Sequence, residues 1–260
     1  MTYTETDLVA AIEHLAAREV AALTQQQLDG IDQFHAGGAE AVDRIQADLR
    51  LGPGMTVLDV GSGLGGPARQ LARTTGCAVV GVDISRSYVD TAAALTRAAG
   101  LADQVEFQCV DVAALERNDF DAAYTIHVQM NVEDKKAFYT DIAGRLRDGA
   151  RLAVFEVCRT GRQDPELPLP WSIDGGDSHL VMPDDLLASI ESSGFETVEW
   201  LDETEWVIDW FQDLGARVAQ AGTPAVLPAL LDEGMTRMIN FAGALNAGAL
   251  SVHRGAFTRR

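Results

Sequence analysis

"VLDVGSGLGG", residues 57–66, places an aspartate two positions ahead of a run holding four glycines. Upstream, Val57 and Leu58 belong to the short apolar run "TVLDV" 56–60; downstream, Pro67 suits a first helical turn, where its missing N–H costs nothing. The stretch therefore reads as strand, tight loop and helix. Its glycines satisfy two nucleotide-binding spacings at once. Gly61, Gly63 and Gly66 make G-x-G-x-x-G, and Gly61, Gly63 and Gly65 with Asp59 in front make G-x-G-x-G. The glycines by themselves leave the ligand open.

Working outward, a β rhythm repeats. "AVVGVD" 78–83, "VEFQCVD" 105–111, "FDAAYTI" 120–126 and "ARLAVFEV" 150–157 are short, apolar and rich in Val, Phe and Ile, and each is followed by a helical stretch or a loop. Strands alternating with helices make βαβ units, right-handed crossovers and a parallel sheet covered on both faces, with ligands at the carboxyl ends of the strands. Helical spacing also marks residues 5–23 and 39–49, so the chain opens with a helical cap. A sixth strand, "FETVEWL" 195–201, follows the helix stop Ser193-Gly194. A helical block over 204–247 comes next, then "ALSVHRGAF" 249–257, expected as a seventh strand antiparallel beside the sixth, with the helices as an insertion that covers a pocket. Within that block Trp206, Trp210 and Phe211 fall at helical spacing and read as core. The Pro-rich "TGRQDPELPLP" 160–170 is a loop.

At 260 residues the chain fits one catalytic-sized α/β domain: residues 1–50 as the cap, 51–160 as the cofactor-binding core, 161–260 as substrate loop, insertion and last strands. Its 39 acidic against 20 basic side chains, a net charge of −19, repel phosphate backbones and anionic membrane, so nucleic acid is excluded as a partner. No basic segment leads into an apolar run and none reaches about 18 residues, which points to a cytoplasmic protein with no membrane contact. Cys77, Cys109 and Cys158 are odd in number, far apart and beside apolar runs, so they read as free thiols, with neither disulfide nor metal site expected. A homodimer stays open.

Three acids speak to the ligand. Asp59 stands where a dinucleotide fold wants an apolar strand residue, whereas a carboxylate there can orient the cationic methionine end of S-adenosylmethionine. Asp83 ends the second strand and can accept both ribose hydroxyls of either ligand. Asp111 ends the third, where it can accept from an adenine amino group. Acids at three successive strand ends suit a sulfonium and an ammonium; a pyrophosphate would prefer a positive loop.

With those residues in place, the chain resembles the class I S-adenosylmethionine-dependent methyltransferases over roughly residues 40–260. "VLDVGSGLGG", "VDIS", "VDV", "HVQMNVEDK" 127–135 and "LRDGARLAVFEV" follow one another in that family's order. "DQFHAGG" 32–38, "HVQMNVEDK", "LPLPW" 167–171 and "MTRMINFAGALNAGALSVHRGAF" 235–257 are similar to the small-molecule branch of the sarcosine and dimethylglycine N-methyltransferases. The stretch "ALNAGALS" departs from that branch by losing an acid, which puts the substrate of relatives in question. The resemblance implies a Rossmann-like, seven-stranded, mostly parallel sheet with an antiparallel last strand, and S-adenosylmethionine as cofactor with S-adenosylhomocysteine as product. It implies cofactor contacts at Asp59, Gly61, Ser62, Gly63, Asp83, Ile84, Asp111, Val112 and His127, and acceptor contacts at Phe34, His35, Gln129, Asn131 and Trp171.

His35 and His127 are the candidates for a general base, each weighed against a packing role; for His127 we favour lining of the pocket. Trp171 either attracts a cationic amine through its π face or packs its loop on the sheet. The expected reaction is in-line methyl transfer to N, O or C of a small molecule. A non-catalytic protein that binds the same cofactor, and an NAD-linked oxidoreductase with no use for Asp59 and Asp111, are the rivals.

Overall fold

The computed structural model describes residues 7–23, 27–28, 32–33, 35–221 and 230–260, with the side chains of 217–221 left aside. Seven strands form one sheet: β1 Thr56–Val60, β2 Ala78–Asp83, β3 Val105–Cys109, β4 Phe120–Ile126, β5 Leu146–Arg159, β6 Phe195–Asp202 and β7 Leu250–Arg259, in the order β3-β2-β1-β4-β5-β7-β6. Neighbours are parallel from β3 through β5, and β7 runs antiparallel to both β5 and β6. The order reverses between β1 and β4, so the crevice at the carboxyl ends of β1, β2 and β4 is where such a sheet accepts a ligand. The seventh strand lies antiparallel beside the sixth, as its sequence suggested, but it sits inside the sheet and leaves β6 at the edge.

Side-chain alternation along each strand feeds two cores. Val57, Val79, Tyr124, Ala153, Phe155 and Val157 face helices α2 Gly38–Leu49 and α3 Gly66–Thr75, together with the insertion helices α7 Thr204–Ala221 and α8 Gly234–Asn246. Leu58, Val60, Val82, Ala123, Leu152 and Val154 face α5 Lys135–Arg145 and α6 Pro183–Ser192. The remaining described helices, α1 Leu8–Ala16 and α4 Arg86–Ala98, share a third cluster through Leu8, Ile12, Tyr88 and Leu95.

Two expectations change. Residues 5–23 are not one helix: α1 ends with Ala17 left-handed, and a 3-10 turn at Val20–Ala22 follows. Among the described residues, the block 204–247 likewise holds two helices, the second preceded by Leu230 and Leu231, both buried. The insertion packs on the N-terminal segment. A Cβ on Gly37 would fall 2.6 Å from Trp206 and one on Gly38 3.3 Å from Trp210, so the glycine pair of "DQFHAGG" is what lets the indoles close down. Trp206 and Phe211 pack against the core accordingly.

Candidate active site

The glycine loop is stitched to the neighbouring strand. Gly61 and Ser62 donate their amides to Val82 O at 2.8 and 3.0 Å, and Gly63 N donates to Asp83 Oδ2 at 2.9 Å. The other oxygen of Asp83 accepts from Ser85 N at 2.8 Å, and burial raises its carboxyl above the usual range. Gly61, Gly63 and Gly65 all take positive φ, at 77, 50 and 75°, the last as N-cap of α3. Gly66 does not; it is needed for room, because a Cβ there would lie 2.5 Å from Asp32 O. Of the two spacings, G-x-G-x-G is thus the one that marks the left-handed residues. Each glycine has its own reason: a Cβ on Gly61 would meet Val128 Cγ2 at 2.5 Å, whereas one on Gly63 would point into open space.

That space is a cavity of about 610 Å³ at the strand ends. Gly61, Gly63, Asp83, Ile84, Asp111, Val112, His127 and Asn131 line it, together with Asp134, Asp141 and Asp177, and among the described residues neither a lysine nor an arginine does. Ile84 is 62% exposed there, an apolar side chain with a free face, opposite the small apolar group Val110 and Val112 on the next strand end. Asp111 uses Oδ1 to cap the following turn through Ala113 N at 2.9 Å.

Asp59 and Ser62 lie behind this wall rather than on it. Both are buried, and Asp59 Oδ2 and Ser62 Oγ have no hydrogen-bond partner. Burial pushes the Asp59 carboxyl up to about 7; the Tyr124 hydroxyl beside it opposes the rise and the Asp83 carboxylate adds to it. A buried acid without a full complement of donors is costly, and its presence next to an acid-lined cavity fits a cationic ligand.

The opposite rim is the turn 127–132. His127 holds φ 53°, uncommon for a residue with a side chain, while its amide donates to Phe155 O at 2.9 Å. Its ring stacks on Phe155 at 5.6 Å and meets Phe241 and His35 edge-on at 6.0 and 6.2 Å. Nε2 is buried without a partner, and burial holds the imidazole neutral, well below its ordinary pKa, with His35 adding to the effect. Gln129 does not face the cavity: it is fully buried and donates its side-chain amide to Val157 O. Asn131 does reach the wall.

His35 is packed rather than poised. Nδ1 pairs with Ala36 O at 3.0 Å and Nε2 with Gln33 Oε1 at 2.9 Å, and burial lowers its pKa to about 4. Both neighbours are acceptor oxygens, so the neutral ring donates to one of them while the other oxygen closes off its second nitrogen, and the arrangement favours the packing role over the base. The strap around it is anchored on α3, by Gln33 Nε2 to Gln70 Oε1 at 3.1 Å and by the buried ion pair of Asp32 with Arg69 at 2.7 Å. Trp171, only 1% exposed, donates Nε1 to Ser178 Oγ at 3.0 Å and meets Phe241 edge-on at 5.5 Å, which is the loop-packing alternative. Phe34 lies outside the described residues.

Two side chains that sequence reasoning passed over support the rim. Glu156, fully buried on β5, accepts from Thr125 Oγ and from the amides of Val128 and Gln129; Lys135 donates to backbone carbonyls of the same turn. A signal existed for each: an acid inside the apolar run "AVFEV", and one of two lysines in an arginine-rich chain.

Residues 57–149 match the methyltransferase domain family. The chain is 30% identical over 215 residues to the methyltransferase GfsG of Streptomyces halstedii, covering 80% of this chain and 74% of that one. It is 32% identical over 175 residues to the methyltransferase phqN of Penicillium fellutanum, covering 64% of this chain but spanning only half, 50%, of that protein's length. Among solved structures, one from Galdieria sulphuraria assigned as a sarcosine dimethylglycine methyltransferase superposes with a TM-score of 0.67, covering 84% of each chain at 17% identity, a likeness of fold.

Proposed function

The chain belongs to the class I S-adenosylmethionine-dependent methyltransferases, and from that membership we propose that it is an enzyme transferring a methyl group from S-adenosylmethionine to N, O or C of a small-molecule acceptor. The observation that carries the reading is the pairing of left-handed Gly63, whose missing Cβ leaves the cavity open, with a wall that is acid-lined and, among the described residues, free of Lys and Arg. A pyrophosphate would be repelled there; a sulfonium and an ammonium are matched. No described helix is long and apolar enough to cross a membrane, in keeping with a small-molecule enzyme.

The residues fit the cofactor. Asp83 would hold the ribose hydroxyls, Ile84 and Val112 the faces of the adenine and Asp111 its edge, with the open backbone of Gly61 and Gly63 beside the methionine end and the buried acid Asp59 behind it. When bound, the cofactor supplies an already activated methyl group, so the protein contributes alignment and exclusion of water, worth up to about 7–11 kcal/mol for well-placed reactants. His127 is neutral and its Nε2 unpaired, so it can accept a hydrogen bond from an incoming nucleophile and orient its lone pair. Its depressed basicity suits an acceptor that gives up its proton readily better than an alcohol. Asn131 lies on the same wall.

The same reading treats the chain as one methyltransferase unit, with residues 1–50 and the insertion enclosing the acceptor over the core 51–160. It places the reaction in the cytoplasm, which the free thiols of Cys77, Cys109 and Cys158 support. Nucleic acid is no partner, in line with the −19 charge. An acceptor of the sarcosine type is supported by the resemblance of "DQFHAGG", "HVQMNVEDK", "LPLPW" and "MTRMINFAGALNAGALSVHRGAF", with "ALNAGALS" as the departure.

Calorimetric titration with S-adenosylhomocysteine and with NAD tests the cofactor, and labelled S-adenosylmethionine offered with amines, phenols and carbon nucleophiles tests the reaction. Binding of the homocysteine product but not NAD, and transfer of label to one acceptor class, are expected. Binding of NAD alone, or no binding of either, overturns the reading.

A further inference from the structure

We propose that Glu156 and Lys135 are positioning residues that clamp the rim turn 127–132 between a carboxylate and an ammonium, and so set the shape of the cavity wall beside the glycine loop. The inference rests on the methyltransferase reading for what the cavity binds, and on geometry for the clamp itself. The two groups divide the peptide units of the turn by polarity. Glu156 Oε2 takes the N–H groups of Val128 and Gln129 at 2.9 and 3.2 Å, while its other oxygen accepts Thr125 Oγ at 2.6 Å. Lys135 Nζ takes the carbonyl of Gln129 at 2.6 Å, that of Val132, and that of His179 at 2.6 Å, which ties in the loop carrying Asp177.

A surface turn leaves such groups to water. This one cannot, because Gln129 and Met130 are buried, and unpaired peptide groups there would be expensive. Two ionisable side chains from β5 and α5 do what sheet or helix bonds do elsewhere, although burying a carboxylate and an ammonium is itself costly. What they hold in return is specific: His127, a residue of the cavity wall, at φ 53° with Nε2 buried and unpaired, and Val128 pressed on Gly61, where a Cβ would fall 2.5 Å away. Neither Glu156 nor Lys135 lines the cavity, so each acts through the turn.

The choice of lysine follows from the same geometry. The chain has 20 basic residues and only Lys135 and Lys136 are lysines. Three carbonyls converging on one point suit a compact ammonium with three donors; the flat fork of a guanidinium cannot serve them from one place.

The test uses Glu156→Gln, Glu156→Leu, Lys135→Arg, His127→Ala and the Glu156→Leu/His127→Ala double variant, read by affinity for S-adenosylhomocysteine, by thermal melting, and by the NMR signal of the His127 ring. Glu156→Gln keeps an oxygen for the two amides, so it should hold affinity within about threefold and leave the ring signal in place. Glu156→Leu and Lys135→Arg should melt cooperatively yet lose at least about tenfold in affinity, roughly 1.4 kcal/mol, and shift the ring signal. The double variant should bind no more than about threefold worse than the weaker of its parents, because residues acting through one element do not add. Fully multiplicative losses, or an unmoved ring signal in a folded Glu156→Leu, overturn the clamp; if that variant does not fold, Lys135→Arg with wild-type affinity and an unmoved ring signal does so. A wild-type protein that fails to bind S-adenosylhomocysteine overturns the methyltransferase reading instead, and the ring signal still decides the clamp.

Discussion

The two walls of the cavity are built by opposite means. On the strand-end wall, polar contacts join residues near in sequence: Asp83 reaches Gly63 across 20 positions and Ser85 across two, and Asp111 reaches Ala113 across two. The rim wall and its cap add more distant partners to the local contacts of Lys135 with Gln129 and Val132: Glu156 to Val128 across 28 positions, Lys135 to His179 across 44, Gln33 to Gln70 across 37 and Arg237 to Leu169 across 68. The first wall is set by backbone geometry, and the second by side chains that find one another only once the sheet has closed. Damage to the first should therefore appear in cofactor affinity, and damage to the cap first in stability.

The strongest test of that division is Trp171→Ala. Removing this buried ring, which touches Phe241 at 5.5 Å, should cost about 3–5 kcal/mol in denaturant unfolding. Affinity of the folded protein for S-adenosylhomocysteine should change less than threefold. A folded, stable variant with weakened binding would put Trp171 in the ligand site and blur the two walls. Next in size comes Gly63→Val, with Gly61→Val as its control. At φ 50° with open space ahead, Gly63→Val strains the loop by about 1–2 kcal/mol but should fold, while its side chain blocks the cavity. Affinity should fall more than about a hundredfold, roughly 2.7 kcal/mol. Gly61→Val, driven into Val128, should lose stability as well, and equal stability of the two variants would contradict the contact at Val128.

Asp83→Ala should weaken cofactor binding by about 1.5–3 kcal/mol, the scale of hydrogen bonds to a charged group, in calorimetry on the folded variant. Unchanged affinity would mean that the ribose is held elsewhere. The smallest effect belongs to the cap. His35 titrates near 4 in the folded protein against 6.5 unfolded, because burial disfavours the imidazolium. Its contribution to stability is complete above pH 6.5 and is lost as pH falls toward 4, with a slope of up to about 1.4 kcal/mol per pH unit. In His35→Gln the fall in unfolding free energy between pH 6.5 and 4.5 should be shallower, since His127, shifted the same way, remains in both proteins. Parallel curves would show that His35 titrates alike in the folded and unfolded chains, and a base role would return.

Much of the strand-end wall was legible before any coordinates, because its signals are local. Asp83, Ile84, Asp111 and Val112 stand at or just past the ends of strands that the alternation of apolar runs had already placed, and Gly61 and Gly63 stand where a left-handed turn needs them. The rim was read by residue type and so less well. Gln129 was expected to face an acceptor, yet its amide turns inward to Val157 O, since the turn has buried peptide groups to satisfy before it can present anything. Glu156 was passed over inside "AVFEV" because an acid in an apolar strand has no partner visible in its own neighbourhood.

The strands, most of their boundaries, the doubly wound class and the strand-end glycines and acids could be read from residue order, because period, turn chemistry and residue type act within a few positions. That β7 lies between β5 and β6, and that Asp59 and Ser62 sit behind the wall with unpaired oxygens, emerges only in the folded molecule. It alone set both nitrogens of His35 against its own strap and brought Glu156 and Lys135 to opposite polarities of one turn. None of those facts follows from the local pattern of the chain; each is fixed by which groups must be satisfied once water has been excluded.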